Sequence, residues 1–189
     1  MKEVLCFIYD GFVDFETVLT CSALNKEDDY KVTYIAYEKT PVCSWGGLKV
    51  NPDKIVSEID GIEDVEGLII PGGVNRILKP ELEKLIKGLN KEKKLLAAIC
   101  AGPEFFAKTG ILNGKKYTTS EEPQSYKEKN EVDPFPRNSY VEARVVQDGN
   151  IITAKGHAFT DFALKIWDWY NLFENEREKE EFKKDFTPD

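Results

Sequence analysis

The stretch Leu95-Leu96-Ala97-Ala98-Ile99-Cys100-Ala101-Gly102-Pro103 decides the architecture of this chain. An unbroken apolar run that ends in a turn reads as a strand buried on both faces, the kind found inside parallel sheets covered by helices. Pro103 to Lys108 opens the next helix, and Thr109-Gly110 stops it. Cys100 therefore sits at the apex of a sharp strand-to-helix turn. Such a turn needs small residues around its apex, because the backbone is strained there and the following helix packs close. Ala98, Ala101 and Gly102 supply them.

The same rhythm runs outward in both directions. Val65 to Ile70 enters Pro71-Gly72-Gly73, and Val4 to Tyr9 ends at Asp10-Gly11, giving two more buried strands. Lys31 to Tyr37 is a further strand, and Val42 to Val50, broken by Trp45-Gly46-Gly47, reads as a small β-hairpin. Helices are expected over Asp14 to Asn25, with an apolar stripe of Phe15, Val18, Leu19 and Ser22-Ala23, and over Pro80 to Asn90, with Leu82, Leu85, Ile86 and Leu89 on one face. Beyond the elbow, the polar stretch Thr118 to Asn138 reads as a loop with little regular structure. Tyr140 to Val146 and Ile151 to Ala154 form an antiparallel hairpin through Gln147-Asp148-Gly149-Asn150. Ala158 to Phe173 is a helix with Phe162, Ile166 and Trp169 inward, and Glu174 to Phe186 is a solvated terminal helix.

This alternation implies one α/β domain over residues 1–189, with residues 174–189 as a charged helical tail. Its sheet is mostly parallel, with helices on both faces and a small β-hairpin. In such sheets the functional crevice lies at the carboxyl ends of the strands. Asp10-Gly11, Pro71-Gly72-Gly73 and Cys100-Ala101-Gly102 all fall there.

Composition narrows the chemistry. The net charge of -8 argues against a nucleic-acid or anionic-membrane surface. No apolar run approaches the roughly 20 residues of a membrane span, and the N-terminus is a poor signal peptide. A cytoplasmic location with reduced thiols is expected. The four cysteines, Cys6, Cys21, Cys43 and Cys100, include no C-x-x-C pair, and His157 is the one histidine, so neither a zinc site nor a disulfide scaffold is expected. No cofactor is called for.

Cys100 is the first candidate for chemistry. A thiol at a helix N-terminus has its anion favoured by the dipole and by free N–H groups, so its pKa is expected to fall. The same N–H groups can form an oxyanion hole. A buried cysteine that merely ends a strand fits the same spacing. Pro71-Gly72-Gly73 reads equally as an amide donor site or a tight turn. Asp14 and Glu16 follow the first strand. Either could orient the thiol, or either could only complement a helix N-terminus. His157 in Thr153-Ala154-Lys155-Gly156-His157 is the one imidazole that could serve Cys100 as a base.

Three segments together, Ala97 to Pro103, Ile69 to Gly73 and Asp14 to Val18, resemble the DJ-1/PfpI superfamily over residues 2 to about 172. The resemblance implies a flavodoxin-like three-layer sandwich, shared with the class I glutamine amidotransferases. It also implies a reactive Cys100, Glu16 as the acid that hydrogen-bonds it, an oxyanion or anion pocket of Gly73 and Ala101 amides, and a homodimer. Departures matter as well. Ala101 stands where the peptidase-like branch has histidine, Ser120 where DJ-1 has one, and the paired histidine and glutamate of the amidotransferases are missing. The family's chemistries imply a small electrophilic substrate, with glyoxalase-like, deglycase-like or hydratase reactions. The alternatives are a redox sensor that meets its oxidant at Cys100 and a binding module.

Overall fold

The computed structural model describes residues 1–186. Its main sheet has seven strands: β1 (Lys2–Phe7), β2 (Tyr30–Ala36), β5 (Lys54–Ile55), β6 (Val65–Ile70), β7 (Leu95–Ile99), β8 (Val145–Asp148) and β9 (Ile151–Ala154). Their order is β5-β2-β1-β6-β7-β9-β8, parallel throughout except for the edge pair β8–β9. The chain leaves β1 toward β2 and returns on the other side of β1 with β6, so the strand order reverses there. Right-handed crossovers then force the helices onto opposite faces. Accordingly α1 (Asp14–Leu24) packs against α5 (Phe159–Trp169), and α2 (Pro80–Lys91) packs against α3 (Pro103–Thr109). The strands β1, β6 and β7 form the floor of the core: Leu5, Phe7, Leu68, Ile69, Leu96 and Ala97 are wholly buried. This three-layer α/β architecture is the expected one. The expected small hairpin is β3 (Val42–Cys43) with β4 (Lys49–Val50), paired Val42 to Val50 and Cys43 to Lys49.

Several elements depart from expectation, each for a local reason. On α1 the buried residues are Glu16, Thr17, Thr20, Cys21 and Leu24, while Phe15 is 51% and Val18 56% exposed. Leu19 and Ala23 of the anticipated stripe do pack against α5. The polar face can turn inward because Thr17 Oγ1 donates to the Asp14 carbonyl at 2.8 Å and Thr20 Oγ1 to that of Glu16 at 3.1 Å, leaving no hydroxyl unpaired. The stretch 118–138 is not irregular throughout. It carries α4 (Pro123–Glu128) and a 3-10 turn at Arg137–Ser139. Residues 140–144 leave the sheet because Val141 N–H bonds the Tyr117 carbonyl at 2.8 Å. Helix α5 ends at Trp169; Phe162 and Ile166 are buried as expected, and Trp169 packs partly buried against the same core. Trp167 is buried on a second face toward α1, its indole N–H donating to the Thr20 carbonyl at 2.8 Å. The tail forms α6 (Glu176–Phe186) but is not simply solvated. Phe182 stands edge-on to Trp167 at 4.9 Å, and Lys179 pairs with Asp168 at 2.9 Å. The last three residues of the expected tail, 187–189, lie outside the described residues.

Candidate active site

Cys100 has φ 61°, a left-handed backbone conformation that a side-chain-bearing residue adopts only under constraint. The constraint is visible on both sides of the residue. Its N–H continues the β7–β9 ladder to the Ala154 carbonyl at 2.8 Å, and its own carbonyl accepts from Ser120 N–H at 2.9 Å and Thr119 Oγ1 at 2.8 Å. Gly102 permits the close turn, since a Cβ there would stand 2.6 Å from the Ile70 carbonyl oxygen. The strand-to-helix elbow read from the sequence is therefore formed, with its sulfur at the carboxyl end of the central strands.

Glu16 reaches the elbow from α1. It is 1% exposed, accepts the Gly72 N–H at 2.7 Å, and meets the Cys100 thiol. Burial dominates its titration and pushes the carboxyl up to about 7. Burial also pushes the Cys100 thiol up to about 11, with the Glu16 charge acting in the same direction. The Ser120 hydroxyl and the Ala101 N–H favour the thiolate, but they are outweighed. The expected depression of the thiol pKa is thus overturned. A helix start of one short helix does not offset removal from water together with a like charge. The other candidate acid, Asp14, points elsewhere and ties the hairpin to α1, accepting from Ser44 Oγ at 2.5 Å and Gly46 N–H at 3.2 Å.

The glycine turn after β6 lies directly against the sulfur. A Cβ on Gly72 would fall 2.6 Å from Cys100 Cβ and 3.0 Å from both Cys100 Sγ and Glu16 Oε2. Gly73 adopts φ 151° against Gly11 and Phe12. Among the described residues no backbone carbonyl takes the amides of Gly73 or Ala101, and the Ala101 N–H is directed at the thiol. His157 sits in a 3-10 turn (Gly156–Ala158) at the rim of a cavity of about 390 Å³ that it shares with Cys100, Phe15, Trp45 and Phe159. Among the described residues its exposed ring makes no hydrogen bond to Cys100.

Sequence reading missed three contributors. Ser120 bonds the thiol from a segment read only as loop. Gly156 passes so close that a Cβ would stand 2.9 Å from Cys100 Sγ. Arg76 is held by Glu104 at 2.8 Å and Glu121 at 3.1 Å, donates to the Gly73 carbonyl, and lines a second cavity beside Cys100. The one sequence-level signal among these was Ser120 at the position where DJ-1 carries an imidazole.

No group of three or more histidine, cysteine or acidic side chains is placed to hold a metal among the described residues. No helix is long and apolar enough to cross a membrane among those residues.

Comparison with known proteins agrees with this fold. The sequence profile of the DJ-1/PfpI family matches residues 2–168. An uncharacterized protease, YdeA, of Bacillus subtilis is 32% identical over 180 residues, spanning 89% of this chain and 85% of that protein. The Parkinson disease protein 7 homolog of Danio rerio is 28% identical, spanning 87% of each chain. A deglycase of Thermococcus kodakarensis is 26% identical, spanning 81% of this chain and 89% of that one. A crystal structure of a DJ-1 superfamily protein from Agrobacterium tumefaciens superposes with a TM-score of 0.81 at 30% identity, covering 95% of both chains. With the elbow cysteine, the buried acid and the glycine turn assembled at the carboxyl ends of the central strands and the family profile spanning nearly all of the fold, the chain belongs to the DJ-1/PfpI family.

Proposed function

We propose that the protein is a cysteine-dependent enzyme acting on small carbonyl electrophiles, with 2-oxoaldehydes as the leading substrate class. The observation that carries this reading is the buried Glu16 carboxyl, with its pKa near 7, set against the Cys100 thiol. A carboxylate that titrates near neutrality is matched to general-base work at physiological pH. The thiol stays protonated until it reacts. As Sγ attacks the aldehyde carbon, its proton passes to Glu16, the C–S bond forms and the carbonyl π bond breaks. The Gly73 and Ala101 amides receive the developing oxyanion. Glu16 returns that proton to the oxyanion, giving a neutral hemithioacetal. The freed carboxylate then takes the proton from C1 and delivers it to C2 through an enediol. Water hydrolyses the resulting thioester, breaking the C–S bond to release a 2-hydroxy acid and the free thiol. His157 has no step in this scheme and is assigned to the wall of the mouth.

The relatives' names agree only at the level of the family: one is a deglycase and one an uncharacterized protease. Peptidase chemistry is disfavoured by Ala101, which supplies no imidazole beside the nucleophile. A peroxide sensor would rest on the same Cys100–Glu16 pair, and selective addition of two oxygens at Cys100 under mild peroxide, read by peptide mass, is the result that would favour it.

We also propose a homodimer. Phe15, Val18, Trp45 and Leu48 are each more than half exposed, and Phe15 and Trp45 line one cavity. The Ser44–Asp14 bond ties the hairpin to α1, so a second copy laid over these two elements would cover apolar side chains. Four free cysteines suit a cytoplasmic setting.

The catalytic reading is tested with purified protein and methylglyoxal, following both aldehyde loss and hydroxy-acid formation. Cys100→Ser abolishes turnover, and Glu16→Gln lowers it about 10²- to 10⁴-fold. Turnover that survives either change overturns the assignment.

A further inference from the structure

Ser120 has no step in the scheme above, yet its hydrogen bonds are directed. Its N–H holds the Cys100 carbonyl at 2.9 Å, and its Oγ accepts the Gly156 N–H at 3.0 Å. A serine hydroxyl has one proton and two lone pairs. With one lone pair engaged by the Gly156 amide, the hydroxyl proton is turned away from that amide. The group it then meets is the Cys100 thiol. Gly156 can serve this way only as glycine, because a Cβ would stand 2.9 Å from Sγ and 3.3 Å from Glu16 Oε1.

We propose that Ser120 is a positioning residue for the Cys100 nucleophile: its hydroxyl, oriented by the Gly156 amide, donates a hydrogen bond to the sulfur as negative charge develops there. The proposal rests on the reading of Cys100 as a nucleophile. Without Ser120, the sulfur would be opposed by burial and by Glu16 with the Ala101 amide alone in its favour. A hydroxyl also differs from an imidazole in that it does not titrate in the working range, so the donor is present at every pH.

On the far side of Ser120 a separate cavity carries Glu122, Tyr140, Arg137 paired with Asp133, and Lys155 paired with Glu142. The Cys100 side carries a different set of charged and titratable groups. Glu16 comes from α1. Tyr9, after β1, donates to the Pro71 carbonyl at 3.0 Å. Arg76, after β6, is held by Glu104 and Glu121. Glu128 and Lys129 line the far wall of the second cavity, and His157 stands at the rim of the first. Among these, Glu16 alone shares a hydrogen bond with the sulfur.

The test is the rate of Cys100 alkylation by iodoacetamide between pH 7 and pH 10, read by peptide mass so that the exposed Cys43 does not contribute. Ser120→Ala shifts the profile about one unit toward alkaline pH, which is about a tenfold slower reaction at pH 8. Ser120→Thr, which keeps the hydroxyl, restores the wild-type profile. Should the alanine variant fold poorly, Ser120→Gly deletes the same hydroxyl and gives the same shift. An unshifted profile in the hydroxyl-less variants, or equal shifts for threonine and alanine, overturns the proposal. Alkylation needs no turnover. A shifted profile in a protein that consumes no aldehyde would therefore sink the substrate reading while leaving Ser120 in place.

Discussion

At Cys100 two demands oppose each other: the fold must bury the residue to build the elbow, and chemistry must charge it. The structure meets this by placing the proton's other host, Glu16, within reach instead of depressing the thiol pKa. The arrangement has a thermodynamic signature. The Glu16 carboxyl is raised from 4.5 to about 7 on folding. A raised carboxyl contributes stability that is fully present below about pH 4.5 and is lost as pH rises through about 7. The loss amounts to about 3 kcal/mol. Glu16→Gln removes this dependence, so the stability of wild type relative to the variant falls by about that amount between pH 4.5 and pH 8. Urea unfolding at the two pH values measures it. Parallel stabilities would show that the carboxyl is not buried as described.

Among the elements, α1 and the tail teach most. Periodicity located α1 within one residue at each end, yet it gave only part of the buried face: Leu19 and Ala23 pack against α5, whereas Phe15 and Val18 turn outward. Helical spacing reports which residues share a side, and it cannot report which side a neighbouring site demands. Here the requirement that Glu16 meet the elbow rotates the helix, and the threonine hydroxyls satisfy themselves on its own carbonyls. Charge density likewise identified α6 as a helix but hid its anchor, Phe182 against Trp167. Phe182 is only partly buried, so Phe182→Ala costs about 1–2 kcal/mol, less than a fully buried aromatic would. A chemical denaturation midpoint reads this cost, and turnover stays unchanged because α6 lies away from the elbow.

At the scale of the whole molecule, the rotation of α1 leaves Phe15 and Val18 facing outward, with Phe15 sharing a cavity wall with Trp45 of the hairpin. The proposed second copy would cover them. Val18→Glu places a charge in that surface without lowering helix propensity. The variant is expected to remain folded and to sediment as a monomer where the wild type sediments as a dimer. A monomeric wild type at micromolar concentration would remove the dimer.

The sequence by itself determined the layered α/β architecture, the elbow at Cys100, the glycine turn after β6 and the family. Those features are written in local apolar runs and in small residues at fixed spacing. Tertiary structure decided the rest. Glu16, which the resemblance but not local spacing singled out from Asp14, meets the thiol, Ser120 and Gly156 arrive from segments 20 and 56 positions away, and His157 stays at the rim. The direction of the Cys100 shift was also settled only in three dimensions. Desolvation and like-charge repulsion depend on what surrounds an atom in space, and neighbours along the chain carry no record of it.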